Sequence, residues 1–90
     1  MQAKKEISPK QILLNALAEV MRELRAEKSQ FLISSENDIS LSIISMTERG
    51  LKDPQFTTIF RLAEAYNINI IEFVERIYKK LPDNFELIDK

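Results

Sequence analysis

The chain has 90 residues, with 13 Lys and Arg against 14 Asp and Glu, a formal net charge of −1. At 44% hydrophobic and 30% charged residues it has the composition of an ordinary soluble globular domain, and its length fits a single one. It contains neither His nor Cys, which excludes a histidine base, a thiolate nucleophile, a Cys/His zinc site and any disulfide. No apolar run approaches the ~20 residues needed to cross a bilayer, and the start, Met-Gln-Ala-Lys-Lys-Glu, lacks the apolar stretch of a signal peptide. The expectation is a cytoplasmic protein without metal or cofactor.

Helix signals dominate from the N-terminal side onward. Residues 1–7 read as a flexible arm in which Lys4 and Lys5 are basic. Ser8-Pro9-Lys10-Gln11 then reads as a helix start, with Ser8 as N-cap, Pro9 at the first helical position and Gln11 completing a capping box. Leu13, Leu17, Val20, Met21 and Leu24 recur at helical spacing up to about Ala26. Ser29 caps a short helix, Gln30–Glu36, that Asn37-Asp38 interrupts. Ser40 caps the next, Leu41–Arg49. The only glycine, Gly50, sits where its C-terminal cap belongs.

Asp53-Pro54 marks a turn, after which Ile59, Leu62, Ala63 and Tyr66 follow the spacing of a fourth helix. Asn69, with Glu72 three residues on, starts a fifth, lined by Ile70, Phe73, Val74, Ile77 and Leu81 and stopped by Pro82. The fold class read from this pattern is all-α, five helices in one domain over residues 8–81, with a tail over 82–90.

The second and third helices are joined by about four residues, the spacing of a helix-turn-helix. Around them stand Ser29-Gln30, Ile33, Ile39-Ser40, Ile44-Ser45, Glu48-Arg49-Gly50, Pro54 and Leu62-Ala63, in register and without gaps. In this series the chain resembles the phage-repressor-like (Xre-type) helix-turn-helix DNA-binding family. Three positions depart from the family pattern: Ser34 replaces a small Ala, Asp38 replaces the turn Gly, and Thr47 replaces an apolar residue. The link between the first two helices is also about two residues shorter.

The resemblance implies a regulator that inserts helix 41–49 into the major groove of double-stranded DNA, with repressor-like roles in transcription. Its base-edge contacts would come from Ser40, Leu41, Ser42, Ser45 and Met46, and its phosphate contacts from Ser29, Gln30, Arg49 and Lys52. A structural ion pair between Arg25 and Glu48 is implied as well. The residues themselves temper this reading. Over residues 29–58, Arg49 and Lys52 face Glu36, Asp38, Glu48 and Asp53, a local net of −2. Between Ser40 and Thr47 there is no Arg, Lys, Asn or Gln, so the strong bidentate base readers are missing.

The apolar excess in the fifth helix and tail points to a homodimer, with Phe73, Ile77, Tyr78, Leu81 and Phe85 as contacts. Carboxylate pairs such as Glu72/Glu75 sit on polar helix faces with no nucleophile beside them, so no enzyme activity is expected. The alternative is an antitoxin-like protein-interaction module on the same fold, with weak or no DNA binding.

Overall fold

The computed structural model describes residues 7–88; Lys4 and Lys5 of the expected arm lie outside them. Among the described residues the chain is all-helical: α1 (Pro9–Arg25), α2 (Gln30–Asn37), α3 (Leu41–Glu48), α4 (Phe56–Ala65) and α5 (Ile70–Lys79). No helix among them is long and apolar enough to cross a membrane.

Four of the five starts have a local cause. The hydroxyls of Ser8, Ser29 and Ser40 accept from the backbone N–H three residues on, and the Asn69 side chain accepts from Ile71 N. Each bond satisfies one of the donors that a helix leaves unpaired at its start. Only α4 begins without such a bond, at Gln55. Gln11 does not complete a capping box: its side-chain amide donates to Asn15 Oδ1 and to the carbonyl of Gly50 at 2.8 Å, tying α1 to the end of α3.

The ends are equally local. Asp38 and Asn67 adopt left-handed backbone at φ 53° and 57°, and Gly50 does so at φ 72°. After Gly50 the N–H of Leu51 reaches back to Met46 O at 2.9 Å, a closure that needs the left-handed residue. A Cβ on Gly50 would lie 2.6 Å from Asn15 Oδ1, so the position needs glycine for space as well as for conformation. Ala26, at φ 55°, takes a positive φ with no such excuse in its side chain.

The core is one cluster in which Val20, Met21, Ile33, Ile44, Leu62 and Phe73 are fully or almost fully buried. α1 packs on α3 and α5, α2 on α3 and α4, and α4 on α5. This corrects the fifth helix as read from sequence. Phe73 has no exposed surface and Ile77 is buried, so neither can meet a partner chain; both close the core beneath α1. Leu81 packs half-buried against the same core and Phe85 is half-buried, leaving only Tyr78 of that set well exposed. Val74, expected in the core stripe, is half exposed. The reason is rotational: a helix of this apolar content has a stripe wider than α1 and α4 together cover.

Candidate functional site

Glu48, in the last turn of α3, is 2% exposed although it is a carboxylate. Such a group is tolerated inside a protein only when its oxygens are met by several donors. Arg25, in the last turn of α1, supplies two: Nε donates to Oε2 at 2.7 Å and Nη2 to Oε1 at 2.9 Å. Gln30, at the start of α2, donates its Nε2 to Oε1 at 2.9 Å. Arg22 reaches the backbone carbonyl of Glu48 through Nη1. The hydrogen bond to Glu48 raises the Arg25 guanidinium above its ordinary pKa, against the opposing effect of burial. Through Nη1, Arg25 also donates to Lys28 O at 2.6 Å, holding the short α1–α2 turn. One buried acid thus joins α1, α2 and α3.

Two polar atoms beside this junction have no hydrogen-bond partner, Thr47 Oγ1 and Tyr66 Oη, and both are buried. Burial, helped by the charge of Glu48, pushes the Tyr66 hydroxyl above its usual pKa. Ser34, on α2, is used: its hydroxyl donates to Ile39 O at 2.5 Å and secures the turn before α3.

The junction decides which side of α3 faces out. With Ile44, Thr47 and Glu48 turned inward, Ser42 and Met46 stand on the opposite side, exposed and in weak mutual contact, with the Ser42 hydroxyl 3.7 Å from the Met46 sulfur. Leu41 is exposed beside them and Ser45 is half-buried at the edge. The Ser40 hydroxyl already accepts from Ile43 N, which leaves its proton for an outside acceptor. Ser29 likewise accepts from Leu32 N at 3.0 Å, and Arg49 and Lys52 are exposed just beyond α3.

Gln30 is the exception among the expected contacts. Its side chain is committed inward to Glu48, which corrects its reading as a side-chain phosphate ligand. Arg22 was not among the residues expected at this junction, although its place three residues before Arg25 puts the two on one helix face. Among the described residues no group of three or more acids is placed to hold a metal ion.

No protein-family model, no curated protein and no solved structure matches the chain. An eight-residue helix is fixed at one angle by a buried ionic clamp. It presents a narrow ridge of small hydroxyls and two apolar side chains with two cations at its far end.

Proposed function

We propose that the chain is a sequence-specific, double-stranded DNA-binding transcriptional regulator with a phage-repressor-like helix-turn-helix fold, in which α3 lies in the major groove. The single observation behind this reading is the outward ridge of Ser42 and Met46 on a helix whose opposite side is clamped to α1 and α2 through Glu48. A groove about 12 Å wide admits one helix, and small side chains let its backbone approach the base edges closely. Ser40 and Ser42 can donate to or accept from bases with little selectivity, while Leu41 and Met46 suit the methyl group of thymine. Arg49, Lys52 and Ser29 would meet phosphates and set the register. In this reading the chain catalyses nothing and works where the DNA is, in the cytoplasm.

Selection from a random duplex library, repeated at low and moderate salt, tests it. Enrichment of a defined sequence is the expected result. If one chain makes about three phosphate contacts, log K against log salt falls with a slope near −3, at about 0.9 per contact. Absence of binding even at low salt overturns it.

A second reading has an observation of its own. Phe31, Leu41, Met46 and Leu51 are all exposed around α2 and α3, in a segment of net charge −2. Apolar side chains beside acids are suited to a protein partner, as in an antitoxin-like module. The same selection separates the two, because a protein-binding face enriches no sequence.

A further inference from the structure

The outward side of α3 mixes its chemistry unevenly. The hydroxyls of Ser42 and Ser45 lie between two apolar side chains, Leu41 at 42% exposure and Met46 at 37%. At 3.6 residues per turn, Leu41 and Met46 stand about 140° apart around the helix axis, one on either flank of the ridge. The Ser42 hydroxyl donates to the Met46 sulfur at 3.7 Å, which draws that side chain along the ridge. A thioether is flexible and polarizable, so it moulds itself to a small apolar group. Between Ser40 and Thr47 no Arg, Lys, Asn or Gln supplies a bidentate grip on a base.

Such a ridge separates base pairs poorly by their donors and acceptors. A serine hydroxyl donates and accepts, so Ser42 suits the O4 of thymine and the N4 amine of cytosine alike. The major groove carries one further mark, the methyl group on C5 of thymine, and apolar side chains are what recognise it. 5-Methylcytosine displays a methyl at the same carbon while keeping the amine of cytosine. Uracil keeps the hydrogen-bonding edge of thymine and lacks the methyl. The two features, edge and methyl, can therefore be varied separately.

We propose that α3 reads the C5-methyl groups of pyrimidines in duplex DNA, through Leu41 on one flank and Met46 on the other. This rests on the DNA-binding reading above and specifies what in the DNA is recognised. Because the two side chains leave opposite flanks of one helix, they face opposite walls of the groove, and the methyl groups they meet belong to opposite strands. The preferred site carries thymine or 5-methylcytosine at both places, and the ridge treats the two bases as near equivalents. Each contact covers about one methyl group, which at the transfer free energy of one buried CH₂ is about fourfold in affinity.

The test is to remake the duplex recovered by selection with altered bases and to measure its dissociation constant for the full chain. Uracil replaces each thymine in turn; in a second set, cytosine or 5-methylcytosine replaces it, with guanine opposite. At one position on each strand, uracil is expected to weaken binding about fourfold, and at both together about fifteenfold. Cytosine is expected to weaken it similarly at those positions, and 5-methylcytosine to recover the affinity. Leu41→Ala is expected to remove the sensitivity at one position and Met46→Ala at the other, with the thermal melt of each variant unchanged, since both side chains are exposed. A duplex bound as tightly with uracil throughout overturns the inference and leaves DNA binding standing. So does a selected sequence without thymine, a uracil effect that survives both alanine variants, or 5-methylcytosine that binds no better than cytosine. Failure to enrich any sequence even at low salt overturns the DNA reading and this inference with it.

Discussion

The α1–α3 junction and the α4–α5 face of this molecule are held by different forces. The junction is polar: one buried carboxylate, two arginines and a glutamine meet in directional bonds. Hydrogen bonds of this kind lose their value when an angle changes, so the junction fixes how far α3 is rotated about its own axis. The α4–α5 face is apolar, and α4 even starts without a side-chain cap. Apolar contact sets proximity but not rotation, and here it leaves large side chains uncovered. The contrast teaches that the ridge with small polar side chains is the rigidly oriented one, whereas the apolar face is fixed by contact alone and leaves Phe56, Ile71 and Tyr78 exposed.

Breaking the junction should produce the largest effect. Arg25→Ala strands Glu48 at 2% exposure and is expected to cost about 3–5 kcal/mol in urea unfolding. Glu48→Ala should cost less, because Arg25 is partly exposed and can turn to water. Equal losses from the two would mean that the carboxylate is not the more deeply buried partner. The two positive-φ positions flanking the junction make a reciprocal pair. Gly50→Ala, which meets both a strained φ and the Asn15 side chain, should lose about 1–3 kcal/mol. Ala26→Gly should gain about 0.5–1 kcal/mol, since glycine takes φ 55° freely. A loss at residue 26 in thermal melts would show that φ is not positive there.

Thr47→Val removes a buried hydroxyl without a partner at nearly constant shape, and a rise of about 1 kcal/mol is expected. Smallest of all, Ser42→Arg on the ridge should alter stability by less than about 0.5 kcal/mol while changing the duplex sequence preferred in selection. A large stability loss at Ser42 would sharpen the comparison against us, because the ridge would then belong to the packed side.

Much of the fold was legible because its signals are local. The caps at Ser8, Ser29, Ser40 and Asn69, the left-handed turns at Asp38 and Gly50, and the apolar stripes of α1, α4 and α5 each depend on neighbours within a few residues. Thr47 was legible as a hydroxyl next to the core only through the family resemblance, whose pattern has an apolar residue there. The Arg25–Glu48 pair was reached only through the family resemblance, since nothing local links residues 23 positions apart. Gln30 was misjudged because a helix start offers its side chain both to solvent and to an adjoining helix. Phe73 and Ile77 were misjudged because periodicity identifies an apolar side without saying which neighbour covers it.

The amino-acid order by itself determined where helices begin and end and which residues share a stripe, because capping and 3.6-residue periodicity act over a single turn. Only the tertiary structure decided which part of each stripe is covered. That choice depends on long-range partners: Arg25 with Glu48 sets how α3 is turned toward α1, and the packing of α5 on α1 and α4 leaves Ile71, Val74 and Tyr78 facing outward. Rotation about a helix axis costs nothing locally, so contacts distant in sequence have to set it.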